Sequence, residues 1–331
     1  HYQVNTVLRC QNNPFQSEVL FITEMDHPLE FQCITDVTPA IPDGYIPAPV
    51  NLQWKATSGD LQTKDNITSW NHFSEGLQEI HVSGTLNYLA PQPSGFFSRK
   101  KPDIEIVVDV SMKCMAPRIV ETLPDGKING FLIGTYPNPK APSSAKKSST
   151  KTYLKIHADT YQQPRLFYPV TKETYRLRIF KDYTLGDFDL DPRFLPLTYP
   201  RYVAINPLIL KKIDRLETVV RNAGIQLSKF KIFYGFRSPG YNLGERGSDG
   251  EKTLKSGFST HMYGLAVDFL IDEDDDLVMD DLDGDGTITV EDAKVLYRYV
   301  NQLDKILIDE GSDLVGGAGW YIHHDFWERG A

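Results

Sequence analysis

From Ile104 to Cys114 the apolar residues Ile104, Ile106, Val108, Val110, Met112 and Cys114 fall on every second position. That period belongs to an extended strand with one buried face. A strand of this length must pair with neighbours and cover its apolar face with a second layer. Shorter runs of the same kind occur at Val19–Ile22, Leu29-Phe31-Cys33, Asn51–Trp54 and Glu79–Val82. Turn sequences punctuate them: Pro42-Asp43-Gly44, Ser58-Gly59-Asp60 and Pro93-Ser94-Gly95. Residues 1–115 therefore read as an all-β sandwich. Its expected role is that of a spacer, with adhesion to a wall or partner as the other possibility.

The three cysteines, Cys10, Cys33 and Cys114, all lie in this first third. Cys33 and Cys114 share the inward phase of their strands, and Trp54 lies between them. This spacing resembles an immunoglobulin sandwich with an inter-sheet disulfide. The resemblance implies a Cys33–Cys114 bridge and an oxidising compartment. Two buried thiols are the equal alternative, and Cys10 is left over or displaces one partner.

Residues 116–194 read as a small β module. Leu123–Lys127 is a turn, Gly130–Tyr136 a strand, and Pro137–Ser149 a linker rich in Pro, Ser and Lys. Strands are expected at Tyr153–Ile156 and Tyr175–Ile179. Nothing in this module suggests chemistry.

Residues 195–331 carry the chemistry. Ile209, Ile213, Leu216 and Val220 predict a helix over 203–223, with Asn206-Pro207 at its start. Lys231–Tyr234 reads as a strand leading into Gly235-Phe236-Arg237-Ser238-Pro239, followed by a polar, glycine-rich loop over 240–258. In Ser259–Asp268, His261 precedes Gly264 and a run in which Leu265, Val267 and Phe269 alternate with Ala266, Asp268 and Leu270. Asp268 opens onto one face of a strand, and His261 sits on a bend that turns its ring toward that face. In Ile322–Phe326, read as a further strand, His323 and Asp325 share a face and His324 lies on the other. Two imidazoles and one carboxylate, from His261, Asp268 and His323, suit zinc. Three protein ligands leave one position for water, the mark of a catalytic site.

The pattern Ser-x-His-x-x-Gly-x-Ala-x-Asp, followed by Gly316-Gly317-x-Gly319-Trp320 and His-x-Asp, resembles the zinc D-Ala-D-Ala carboxypeptidase and murein endopeptidase superfamily, in its His-x-Asp branch. Tyr234–Pro239 is similar to that superfamily's Tyr-Arg-Ser-Pro segment. The resemblance covers roughly residues 195–331. It implies an α+β domain of the hedgehog-like peptidase fold, so that the chain as a whole is multidomain. It also implies a zinc-activated water that cleaves peptidoglycan stem or cross-link peptides, as an endopeptidase or a D,D-/L,D-carboxypeptidase. In that layout Arg237 faces the cleft and holds a substrate carboxylate or an oxyanion. Ser259 binds substrate or steadies the histidine. Asp325 is the first choice of general base, and otherwise orients His323. His324 is the alternative ligand or base. Relatives carry an acidic residue three positions before the last histidine, where this chain has Trp320 or Tyr321. The other functional class is a non-catalytic zinc- and calcium-binding recognition module of the same fold.

After Asp268 comes an insertion, residues 272–292. Asp272–Asp276 is acidic, and Asp281-Leu282-Asp283-Gly284-Asp285-Gly286-Thr287-Ile288-Thr289-Val290-Glu291-Asp292 follows the twelve-residue calcium loop. Asp281, Asp283, Asp285, the Thr287 carbonyl and Asp292 are its expected ligands, and Thr289 contributes directly or through water. Asp292 stands where glutamate is usual, as in dockerin-type loops. The helix expected over 290–309 would be capped by this calcium, a structural ion. A single loop argues against cohesin binding.

Net charge is −9 over 331 residues, which opposes nucleic-acid binding. No run of about 18 apolar residues exists, so no membrane span is expected. A secreted, periplasmic or cell-envelope monomer whose signal peptide has been removed fits these features.

Overall fold

The computed structural model describes residues 3–15, 17–92, 101–141, 151–152, 155–190, 199–242, 258–316 and 318. The chain is β-rich and divides into two compact units, 1–119 with 178–181, and 120–177 with 182–331. Residues 120–177, expected in a module of their own, cluster with the C-terminal part of the chain.

The first unit holds β1 (Gln3–Cys10), β2 (Leu20–Phe21), β3 (Leu29–Thr38), β4 (Ile46–Pro47), β5 (Asn51–Ala56), β6 (Asp60–Lys64), β7 (Ile67–Asn71), β8 (Gly76–Leu89), β9 (Ile104–Ala116) and β10 (Arg118–Ile119). One sheet runs β1-β3-β7-β6. The other runs β2-β9-β8-β4, with β5 also paired to β8. The long alternating segment is β9, antiparallel to β8 from Tyr88↔Ile104 to Gly76↔Ala116. Its inward residues Val108, Met112 and Cys114 join Leu8, Phe31 and Trp70 from the opposite sheet in one apolar cluster. Side chains from both inner faces fill the space between the sheets, which is how paired sheets hide their apolar faces.

Cys10, Cys33 and Cys114 are buried and free, so the thiol alternative describes them. Burial pushes the Cys10 thiol up to about 11 and raises Cys33 and Cys114 as well. The fully buried tryptophan is Trp70, whose Nε1–H donates to Ser58 O at 2.7 Å. Trp54, which lies between Cys33 and Cys114 in the sequence, is partly buried against the cluster.

The second unit contains the hairpin β11 (Lys127–Ile128) and β12 (Phe131–Leu132), then β13 (Leu166–Val170). β14 (Arg178–Phe180) belongs to the first unit. β15 (Tyr183–Thr184), β16 (Arg201–Val203), β17 (Lys231–Tyr234) and β18 (Asp268–Leu270) complete the strands. Among the described residues its helices include α1 (Pro207–Asn222), the single turn α2 (Pro239–Asn242) and α3 (Val290–Asp309). Helix α1 starts where Asn206 accepts the Leu208 N–H on its side chain and Pro207 takes the first turn, a cap that satisfies one orphan donor. Helix α3 starts with a reciprocal capping box between Thr289 and Asp292. Lys212 of α1 and Asp304 of α3 pair at 2.6 Å, both largely buried. Among the described residues, no helix is long and apolar enough to cross a membrane.

Of the expected strand Gly130–Tyr136 only Phe131–Leu132 is extended, and two further expected strands take other forms. Lys151, Thr152, Lys155 and Ile156 are helical, so the described part of Tyr153–Ile156, Lys155 and Ile156, is not extended. In Tyr175–Ile179 only the end from Arg178 is strand, because Tyr175 N and Leu177 N are taken by turn bonds to Thr171 O and Thr174 O.

Trp70→Ala is expected to destabilise the first unit by about 3–5 kcal/mol, through the cavity it leaves. Trp54→Phe removes an indole N–H that is buried without a partner and is expected to cost less than about 1 kcal/mol. Urea unfolding followed by far-UV circular dichroism separates the two.

Candidate functional site

The candidate site is assembled where β17 and β18 pair antiparallel, with Tyr234 opposite Asp268 and Lys231 opposite Leu270. A bulge between Ile232 and Tyr234 shifts the register, a device that re-aims side chains at the end of a ladder. The strand predicted from Leu265 begins only at Asp268. Leu265 N is bound to Thr260 O instead, so the residues before Asp268 are held by the preceding turn.

That turn is a short 3-10 helix, Thr260–Tyr263, and it carries His261. Gly264 ends it at φ 67°. A Cβ on Gly264 would lie 2.6 Å from Ala204 O, so both the left-handed conformation and the close approach demand glycine. Gly264 O accepts the Asn206 N–H at 3.0 Å, which ties the turn to the start of α1. Gly235 faces a similar demand, since a Cβ there would meet Phe188 O at 2.3 Å.

The His261 ring is buried, with Nδ1 2.7 Å from Gly235 O and Nε2 3.2 Å from Asp268 Oδ1. A carbonyl oxygen can only accept, so Nδ1 carries the proton. In the neutral ring Nε2 is then a lone pair aimed at a carboxylate oxygen. Two acceptors at that distance repel unless a proton or a metal ion stands between them. Two atoms bound to a tetrahedral zinc at about 2.0–2.1 Å lie about 3.3 Å apart. The His261–Asp268 separation is thus compatible with a zinc ion between the two atoms, as it is with a shared proton. A histidine that donates its other nitrogen to a backbone carbonyl is also the usual metal-bound arrangement.

Arg237 lies beside this pair. Its Nη1 is 3.8 Å from Asp268 Oδ2, and its Nη2 donates to Ser259 Oγ at 3.5 Å. The guanidinium sits over the Tyr234 ring, and Nε is buried without a partner. Its backbone N–H donates to His261 O at 3.3 Å. Burial raises the nearby Tyr241 hydroxyl, and the Arg237 charge partly offsets that shift. Arg237 thus presents a largely buried cation whose hydrogen-bonding capacity is incompletely used.

Four of the predicted residues, Arg237, Ser259, His261 and Asp268, therefore come together. His323, His324 and Asp325 lie outside the described residues. The Gly235 carbonyl was not singled out by the sequence, since a backbone acceptor leaves no mark beyond the glycine itself.

A second cluster forms in the insertion. Carboxylate oxygens of Asp281, Asp283 and Asp285 lie within 4.8 Å of one another. Asp281 accepts from Gly284 N and Gly286 N, and Asp285 from the Thr287 amide and hydroxyl. Hydrogen bonds from Thr287 hold the Asp285 carboxyl below its ordinary range. Asp292 is fully buried and accepts from Leu282 N, Asp283 N and Thr289 N. Its carboxylate thus closes the loop onto the start of α3. The Thr289 hydroxyl caps Glu291 N. Asp272, Asp274 and Asp276 form a second such triplet, in a segment the sequence marked only as acidic. Burial raises Asp272, against the pull of the Leu277 and Asp276 amides.

The chain matches no protein-family model, and no curated protein or solved structure matches it.

Tyr263, in the His261 turn, has a buried hydroxyl without a partner, and burial raises its pKa. Tyr263→Phe removes that orphan and is expected to be neutral or stabilising by up to about 1 kcal/mol, measured by thermal unfolding of the full chain.

Proposed function

We propose that the second unit is a zinc-dependent peptidase acting on peptidoglycan stem or cross-link peptides, as an endopeptidase or a D,D-/L,D-carboxypeptidase. The observation that carries it is the His261–Asp268 pair, with Nε2 and Oδ1 3.2 Å apart and the ring fixed by Gly235 O. His323, from the C-terminal motif, would complete the ligand set in this reading. The peptidoglycan substrate and the hedgehog-like fold rest on the motifs at 234–239, 259–268 and 316–325, in that order along the chain.

When bound, zinc supplies a water of lowered pKa as nucleophile. The chain's residues then divide the remaining work. Gly235 O keeps the His261 proton on Nδ1, so that Nε2 stays free to ligate. Asp268 turns one oxygen toward His261 and the other toward Arg237. Arg237 holds a substrate carboxylate or the oxyanion, and its buried Nε and loosely engaged Nη groups favour an anion there. Ser259 steadies Arg237. Asp325 moves the proton to the leaving amine, with His324 as the alternative base or ligand.

We further infer that residues 281–292 hold calcium through Asp281, Asp283, Asp285 and the Thr287 carbonyl, with Asp292 closing the loop. Three carboxylates this close repel one another, and a hard divalent cation relieves that repulsion. For the first unit, the order β1-β3-β7-β6 against β5-β8-β9 supports an immunoglobulin-like sandwich of the constant type. A secreted, periplasmic or cell-envelope setting accords with this substrate.

Purified protein incubated with murein sacculi is expected to release soluble muropeptides, identified by mass. His261→Ala and Asp268→Ala are each expected to lower the rate at least 100-fold without loss of fold. Zinc binding with no cleavage, together with tight binding to sacculi, would replace the peptidase by a recognition module.

Calcium at 100 times its dissociation constant is expected to stabilise the second unit by about 2.7 kcal/mol. Asp281→Ala with Asp283→Ala should abolish that gain. A thermal scan with and without calcium measures both.

A further inference from the structure

We propose that Tyr136 is a positioning residue for His261, and that the hairpin before it clamps the two halves of the candidate site together; the consequence for metal binding rests on the zinc reading above. The hairpin β11–β12 closes when Ile133 N and Gly134 N both donate to Gly126 O, at 2.8 and 2.9 Å. Ile133 is fully buried. Its carbonyl accepts the Gly240 N–H at 2.7 Å, in α2, three residues after Arg237. Three residues beyond Ile133, the Tyr136 hydroxyl donates to Met262 O at 2.9 Å, the carbonyl next to His261. One short stretch of chain thus grips the Arg237 side of the site through a backbone bond and the His261 side through a side chain.

The His261 turn needs such a grip. Gly235 O fixes the imidazole only if the backbone of the turn is itself fixed relative to Gly235. A four-residue 3-10 helix has poor internal hydrogen-bond geometry. Met262 is fully buried, so a Met262 carbonyl that lost Tyr136 would lack a replacement from solvent. Burial raises the Tyr136 hydroxyl well above its ordinary pKa. Its ring packs on Tyr263, and Tyr161 packs on the same ring from another direction. The aromatic cluster thereby holds Tyr136 in place, while its hydroxyl reaches the turn at Met262 O.

The test compares Tyr136→Phe with Tyr263→Phe in the full chain. Both remove one buried hydroxyl from the same cluster, but only the first removes a hydrogen bond. Zinc affinity is measured by competition with a chelator. The His261 Nδ1–H signal is followed by NMR in 15N-labelled, metal-free protein. The expected result is about ten-fold weaker zinc binding and a broadened Nδ1–H signal in Tyr136→Phe, with Tyr263→Phe unchanged in both. Wild-type affinity and an unchanged signal in Tyr136→Phe would overturn the proposal, as would equal effects of the two variants. If the wild type binds no zinc while Tyr136→Phe still broadens the signal, the zinc reading fails and the positioning role stands. If Tyr136→Phe does not fold, the unaltered chain decides: a Tyr136 hydroxyl proton protected from exchange supports the bond, and one in fast exchange overturns it.

Discussion

The hydrogen bond between His261 Nδ1–H and Gly235 O governs the candidate site. It assigns the ring's proton, and that assignment leaves Nε2 as an acceptor facing the Asp268 carboxylate. Such a pair is unfavourable alone and favourable around a shared proton or a metal ion. The proton on Nδ1 therefore leaves an unprotonated nitrogen beside a carboxylate oxygen. Everything nearby serves that bond. Gly235 has no side chain because Phe188 O lies against it, and Gly264 bends the turn where a Cβ would strike Ala204.

The same reasoning sets the site apart from the acidic insertion. In the loop at 281–292, the carboxylates are organised by amides and glycines into a tight turn. The order there comes from backbone donors, and the ligand it suits is a hard cation rich in oxygen contacts. At His261 and Asp268 the order comes from burial and one carbonyl, and the donor set is mixed nitrogen and oxygen. The unit thus holds two chemically different arrangements of polar groups, one of carboxylates alone and one of an imidazole beside a carboxylate. Helix α3, capped by Asp292 and paired to α1 through Lys212 and Asp304, links the acidic loop to the helix whose start is tied to the His261 turn.

How much of this could be read from the sequence varies with the kind of signal. Period-two alternation located β9 and part of β8, and apolar spacing located α3 to the residue and α1 apart from its start, expected at 203 but found at Pro207 after the strand that ends at Val203, because burial of one face imposes the period directly. The His261 and Asp268 pair, Arg237 and the Asp281–Asp285 loop were legible as motifs. Three features were not. The fully buried tryptophan of the first unit is Trp70, which no spacing in the sequence singled out. The segment at 151–156 is helical at its described ends, because four residues are too few for a period to decide. Tyr136 lies more than a hundred residues from Met262, and no local pattern announces a contact of that range. The module that carries it looked chemically silent for that reason.

The most direct test of the central claim is titration of the metal-free protein with cobalt(II), read by visible absorption. The account predicts an intense tetrahedral d–d band that saturates at one equivalent, disappears on adding zinc, and is absent in His261→Ala. A band of the same strength in His261→Ala, or no band in the wild type, would contradict it.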